Sequence, residues 1–235
     1  MGKNPKAQYT TAEPKPIKTR ITSTQMWVLL FLILNLSFLV FCMSIGCESE
    51  QKLEPVPLSA EEKKAELHKQ LNTKFENPDA HFELGRLYQA EGNWDKAEYH
   101  YNVALSFDPV NRPAQAALVK VLINNGDKAK AEQYARSYIN QASSSIMASL
   151  QLAEAFNRQQ LDKYTLACYQ QALRLDPNSP EANKQFGFYY LNKNDKERAK
   201  EYLSKSFQLN PNQPDVAGEL GRLGVVVKIP EKKKK

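Results

Sequence analysis

The sequence predicts an all-α chain: a right-handed superhelical solenoid of helix hairpins preceded by a single transmembrane helix. Three observations carry this. Between residues 78 and 213, large apolar and small residues return at 34-residue intervals. Within each interval, two stripes of helical spacing flank a short polar stretch, "EGNWD", "NNGD", "RQQLD" and "NKNDK" in turn. Ahead of them, Met26 to Ile45 runs 20 residues without a charge.

Residues 1–25 carry five basic side chains against Glu13, interrupted by Pro5, Pro14 and Pro16. Such a segment buries too little apolar area to offset the entropy of ordering, so a disordered, basic cytoplasmic tail is expected. Residues 26–46 are the expected membrane segment. As a helix of ~1.5 Å rise per residue, the uncharged run is about as long as the bilayer hydrocarbon is thick. Three fates are open to it: an uncleaved signal anchor, a lipoprotein signal, or an ordinary cleaved signal. The second rests on "SIGC" (44–47), which resembles the lipobox of bacterial lipoproteins, with Ser44 where that pattern has an aliphatic residue. It would make Cys47 the lipidated residue. Basic residues precede the run, whereas Glu48, Glu50 and Glu54 follow it, opposed by Lys52. The positive-inside rule then leaves the N-terminus cytoplasmic and the rest on the extracytoplasmic, periplasmic side of a single-pass membrane protein. The partner of residues 26–45 is the lipid bilayer.

Residues 47–77 are a linker and a charged lead-in helix. Pro55 and Pro57 stiffen the linker, Ser59 and Glu62 form a capping-box pattern, and Leu67 and Leu71 make a narrow apolar stripe. From Pro78 the register repeats as 78–111, 112–145, 146–179 and 180–213. Its seventh and eighth places hold Leu84-Gly85, Leu118-Val119, Leu152-Ala153 and Phe186-Gly187. Its eleventh holds Tyr88, Leu122, Phe156 and Tyr190, its twentieth Ala97, Ala131, Thr165 and Ala199, and its twenty-fourth Tyr101, Ala135, Tyr169 and Leu203. Pro109, Pro177 and Pro211 close three of the four units. This pattern resembles the tetratricopeptide repeat (TPR) family, the first and fourth units most strongly and the second only in period and residue size.

Each unit also has a physical reading. Gly85, or its small equivalent, permits close helix approach, and Tyr101 fills the gap opposite. Gly92 and Gly126 supply the turn, and Asp95 and Asp127 are expected to cap the second helices. A lone hairpin has a bare apolar flank that stacking on a neighbour buries. Tyr88, Tyr101, Phe156, Tyr169 and Tyr190 are expected to wedge between successive hairpins. "PDVAGELGRLG" (214–224) reads as a capping helix, and 225–235 as a basic tail.

Catalytic signals are lacking. His68, His81 and His100 have no partner at metal-ligand spacing, and neither HExxH nor a phosphate loop occurs. His81 takes a place often held by Trp and is expected to pack; His100 is expected to be partly exposed. Cys168 reads as a structural thiol, and three cysteines imply neither a disulfide framework nor a metal site. The expected protein is not an enzyme and has no cofactor. The net charge of +6 does not indicate nucleic acid, because the repeats carry 16 basic and 15 acidic residues while the surplus lies in the two tails.

What remains is surface for protein binding. The resemblance implies a concave groove lined by first helices. By register, its candidates are Phe82, Arg86, Gln89, Lys120, Leu150, Glu154, Asn157, Arg158, Lys184, Phe188 and Leu191. Phe82, Leu150, Phe188 and Leu191 are expected as apolar exposures. Arg86, Lys120, Arg158 and Lys184 would meet an acidic segment or a carboxylate. Phe82 and Arg86 replace the first two residues of the Lys/Asn clamp of chaperone-tail-binding relatives, which argues against an EEVD-type tail. The leading function is a membrane-anchored adaptor or scaffold that binds a protein partner during assembly of an envelope or membrane complex. The alternative is a permanent accessory subunit of a large membrane complex. A hydrolase or transferase would need catalytic residues for which too little chain remains outside the repeats.

Overall fold

The computed structural model describes residues 58–228. The predicted membrane run, Cys47, the linker up to residue 57 and the final lysines lie outside the described residues. Among those described, no helix is long and apolar enough to cross a membrane.

Ten helices make up the described part: α1 (Ala60–Thr73), α2 (Pro78–Ala90), α3 (Trp94–Phe107), α4 (Arg112–Asn124), α5 (Lys128–Ala142), α6 (Ile146–Arg158), α7 (Asp162–Leu175), α8 (Pro180–Asn192), α9 (Lys196–Leu209) and α10 (Pro214–Arg222). Helices α2/α3, α4/α5, α6/α7 and α8/α9 pair as hairpins, and each hairpin packs on the next. The result is an all-α solenoid of helix hairpins, with α1 packed on α2 at one end and α10 on α9 at the other.

The sequence starts and stops these helices locally. Ser59 and Glu62 form the full capping box of α1. Asn77, Asn93, Asn111, Asp127, Ser145, Ser179 and Asp195 each accept a hydrogen bond from the backbone N–H three residues on. Asp127 thus caps α5, but Asp95 does not cap α3. Asn93 starts that helix two residues earlier, and Asp95 instead accepts from Asn125 Nδ2 at 3.1 Å, tying the first hairpin to the second. In the first two hairpins the turn residue is glycine, Gly92 (φ 73°) and Gly126 (φ 92°). In the last two, Gln160 (φ 58°) and Asn194 (φ 59°) adopt the same left-handed geometry and bear its steric cost.

Within a hairpin, close approach depends on a missing side chain. A Cβ on Gly85 would lie 2.6 Å from the Tyr101 ring, and one on Gly187 would lie 2.7 Å from Leu203. The small residue on the first helix and the large one on the second therefore fit as a pair. Tyr101 and Phe156 are fully buried, and Tyr169 stacks on Phe186 at 5.0 Å, joining the third hairpin to the fourth. Tyr88 differs: it stacks on His100 within its own hairpin and meets His68 of α1.

The fourth place of every unit is polar and makes one recurring contact. His81 Nε2 meets the Phe75 carbonyl at 3.1 Å, Gln115 Nε2 donates to Pro109 O at 2.7 Å, Ser149 Oγ to Ala142 O at 3.0 Å, and Asn183 Nδ2 to Pro177 O at 3.2 Å. Each side chain satisfies a carbonyl of the chain that leads into its hairpin: a loop carbonyl for His81, Gln115 and Asn183, and that of the last residue of α5 for Ser149. Removing such a donor would leave a buried acceptor unpaired, at a cost of ~1–3 kcal/mol. This contact tethers the chain that leads into each hairpin to the helix that follows it.

Ionic contacts run between neighbouring hairpins. Lys130 pairs with Glu98 at 2.5 Å, Lys163 with Glu132 at 2.6 Å, and Lys193 with Asp162 at 2.6 Å. Lys163, Arg136 and the Tyr164 hydroxyl together hold the Glu132 carboxyl down at about 2. These side chains are partly solvated, so each pair contributes little; they favour one alignment of neighbouring hairpins more than they stabilise it.

Candidate partner-binding groove

The first helices of the hairpins, α2, α4, α6 and α8, carry the candidate residues. Their exposure differs from hairpin to hairpin. On α2, Phe82 is half-buried with its ring 5.8 Å from that of Tyr101, while Arg86 is exposed and pairs only with Glu83 at 3.0 Å. Gln89 is held from two sides. Its Oε1 accepts from the Tyr101 hydroxyl at 2.7 Å, and its Nε2 donates to Gln159 Oε1 at 3.1 Å. Gln159 follows α6, so this bond links the first hairpin to the third, past the end of α4. Arg86, Gln89, Ala90, Trp94, Asn124 and Gln159 line one cleft of about 250 Å³ there.

Helix α4 is the most enclosed of the set. Ala116, Ala117, Leu118, Val119, Val121 and Leu122 are all buried, and Lys120 is half-buried. Helix α6 packs against it. That contact corrects one expectation: Leu150 is only 1% exposed and belongs to the core, so it offers no apolar surface to a partner. Its neighbours on α6 remain accessible. Glu154 and Arg158 are exposed and pair with each other, and Asn157 is half-buried. Glu154 and Arg158 also border a cleft of about 370 Å³ with Arg112, Pro113 and Gln151. Lys120 and Asn157 line neither cleft.

On α8, Lys184 is committed to Asp215 of α10 at 2.6 Å, which lowers the Asp215 carboxyl pKa. Lys184 is therefore already neutralised by the chain itself. Phe188 and Leu191 are half-buried around Leu203, Phe207, Val216, Ala217 and Leu220, together with Leu223, Val225 and Val227 from the segment after α10. Of the candidate residues, Arg86 and Gln89 thus border a polar cleft at the first three hairpins, Glu154 and Arg158 an ionic cleft between α4 and α6, and Phe188 and Leu191 belong to an apolar patch on α8. Trp94 and Gln159 complete the first cleft. They lie at the hairpin turns, outside the places that the register assigns to the groove.

The three histidines, far apart in sequence, come together where α1 meets the first hairpin. His81 Nδ1 and His100 Nδ1 lie 3.0 Å apart, and His68 Nε2 is 3.4 Å from the Tyr88 hydroxyl. His100 is 7% exposed, not partly exposed as its sequence neighbours suggest, because Tyr88 stacks on one side and Tyr99 stands edge-on at another. Burial first, then the neighbouring His81, His68 and Lys96, pushes the His100 pKa down to about 4; burial lowers that of His81 as well. With His81 Nε2–H donating to Phe75, its Nδ1 accepts from His100 Nδ1–H, and the lowered pKa of each ring keeps both neutral near pH 7. Cys168 is buried, and burial pushes its thiol up to about 12, which leaves no thiolate for nucleophilic attack near neutral pH. Among the described residues, no group of three or more His, Cys, Asp or Glu side chains could hold a metal ion.

Comparison with known proteins agrees with this architecture. The family described as the EMC2 TPR-like repeat domain matches residues 64–192, and a tetratricopeptide repeat matches residues 182–213. The chain is similar to the type IV pilus assembly protein PilF of Pseudomonas aeruginosa, 29% identical over 151 residues, which cover 62% of this chain and 58% of PilF. It is also similar to the protein O-mannosyl-transferase TMTC1 of Homo sapiens, 26% identical over 145 residues, which cover 59% of this chain and 16% of TMTC1. The chain therefore spans less than two thirds of either relative. Among solved structures, that of Pseudomonas aeruginosa PilF aligns with a TM-score of 0.35 at 28% identity, over 62% of this chain and 67% of that one. That of YrrB, a TPR protein with an unusual peptide-binding site, aligns with a TM-score of 0.36 at 21% identity, over 69% of this chain and 84% of that one.

Proposed function

Because this chain belongs to the tetratricopeptide-repeat family, through its EMC2-type TPR-like repeat domain, we propose that it is a membrane-anchored adaptor that holds a protein partner in its groove during assembly of an envelope or membrane complex. The architecture is that of a non-catalytic interaction scaffold. One observation carries the groove: Arg86, Gln89, Asn124 and Gln159, drawn from three successive hairpins, converge on a single cleft. A surface built from three hairpins is lost if any of them shifts, so it responds to the solenoid as a whole. The assembly role named for PilF supports the class of function. The tether is read from the uncharged run at 26–45, with the repeats on the extracytoplasmic side. Tethering raises the local concentration of the groove, so individual contacts need not be strong.

The fixed and the free side chains separate the roles. Gln89 is held by Tyr101 and Gln159 and positions the cleft wall. Arg86 is free to reach a carboxylate beyond Glu83, while Phe82 on α2 and Phe188 and Leu191 on α8 supply apolar contact. The test is affinity capture of the intact chain from detergent-solubilised membranes, repeated with Phe82, Arg86, Phe188 and Leu191 changed together to alanine. A specific protein is expected to disappear from the captured set while the far-ultraviolet dichroism stays helical. An unchanged set refutes the assignment. Arg86→Glu, a change at an exposed side chain whose ionic partner is Glu83, should by itself weaken capture of the same protein.

A further inference from the structure

The segment after α10 packs on the same apolar cluster as Phe188 and Leu191 of α8. Helix α10 stands where a fifth hairpin would begin, but it ends at Arg222, and Gly224 (φ 76°) reverses the chain. Val225 N–H donates to Leu220 O at 2.8 Å and closes that turn. From there burial alternates. Val225 and Val227 are half-buried against Leu203, Phe207, Val216, Ala217 and Leu220, the same apolar cluster that Phe188 and Leu191 pack on, whereas Val226 is 96% exposed and Lys228 is exposed. Period-two burial is that of an extended segment with one face on an apolar surface. Beyond Val225 N–H, no hydrogen bond joins residues 226–228 to another described residue. Among the described residues the contact beyond Val225 is therefore made by side chains, so the segment can leave it without breaking a ladder.

We propose that Val225–Val227 is a resident occupant of the α8 end of the groove, and that a partner enters there as an extended segment with aliphatic side chains at alternate positions, displacing it. This rests on the groove reading above and adds the chemistry of the partner and a competing element within the chain. Phe188 and Leu191 are then covered in the free protein and exposed only while the tail is away.

The probe is a fluorescent peptide of residues 224–230, GVVVKIP, titrated in detergent onto the intact chain and onto a chain ending at Gly224. Binding to the shortened chain is expected to be about tenfold tighter than to the intact one, the ratio set by how often the resident segment vacates the site. Phe188→Asp in the shortened chain should abolish it. Equal binding to both chains, or none to either, overturns the proposal. As a second arm that keeps the whole chain, 4-fluorophenylalanine at position 188 reports its surroundings by ¹⁹F resonance. Val225→Asp with Val227→Asp should move that resonance toward its solvent-exposed value, and an unmoved resonance overturns the proposal. Neither arm uses the cellular partner, so the tail contact can stand even where the capture experiment refutes the adaptor reading.

Discussion

Tyr101→Ala is expected to destabilise the solenoid by about 3–5 kcal/mol, the range for removing a large, fully buried aromatic side chain. Tyr101 is fully buried, and its ring occupies the space that Gly85 leaves on the facing helix. The packing around a glycine cannot relax to refill such a gap, because no side chain is present to move in. The hydroxyl matters separately: it fixes Gln89, which in turn reaches Gln159. Tyr101→Phe keeps the ring and is expected to cost only about 1 kcal/mol. It should, however, loosen the link between the first and third hairpins and weaken partner capture. Urea unfolding followed by circular dichroism measures both. Similar midpoints for Tyr101→Ala and Tyr101→Phe would show that the ring does not hold the hairpin together.

The second large effect is acid sensitivity from the histidine cluster. The folded chain keeps His100 neutral down to about pH 4, whereas an unfolded histidine titrates near 6.5. Above pH 6.5 neither state binds the proton, and stability is at its full value. As pH falls from 6.5 toward 4, the unfolded chain takes up a proton that the folded chain refuses, so stability declines; below about 4 this loss levels off. At 1.36 kcal/mol per pH unit the decline is about 2 kcal/mol between pH 6.5 and 5, and the lowered pKa of His81 adds in the same direction. Most carboxylates stay ionised across that window, so the histidines dominate it. Urea midpoints at pH 7, 6 and 5 should fall steadily for the intact chain. In His100→Phe the slope should shrink to half or less. Identical slopes for the two would remove the cluster from the account.

This cluster also marks where sequence reading stops. The 34-residue register is visible because the fold repeats: the same burial problem recurs in every hairpin, and residues that solve it recur too. Gly85 opposite Tyr101 and Gly187 opposite Leu203 are legible for that reason. So is the capping box of α1, whose two partners lie three residues apart. The histidines meet through tertiary packing of α1, α2 and α3 at separations with no periodic signature, and the exposed look of "EYHYN" around His100 comes from its neighbours. A repeating signal was there to find at the fourth place. His81, Gln115, Ser149 and Asn183 look unrelated by residue type and share only the ability to donate to a carbonyl of the chain leading into their hairpin. Leu150 shows the opposite failure. Its register place belongs to the inner wall, but the tight packing of α6 on α4 covers it. Asp95 lost the cap of α3 to Asn93 because either can accept from a backbone N–H, and the turn at Gly92 fixes which one is reached.

The central claim is that a partner is held on the inner wall, and site-specific crosslinking tests it most directly. A photoreactive amino acid would be placed at Arg86 on the inner wall or at Gln133, exposed on the second helix of its hairpin, in the intact chain expressed in its own cells. The account predicts one discrete protein adduct from position 86 and none of that identity from position 133. An adduct formed equally from both positions, or from position 133 alone, would contradict it.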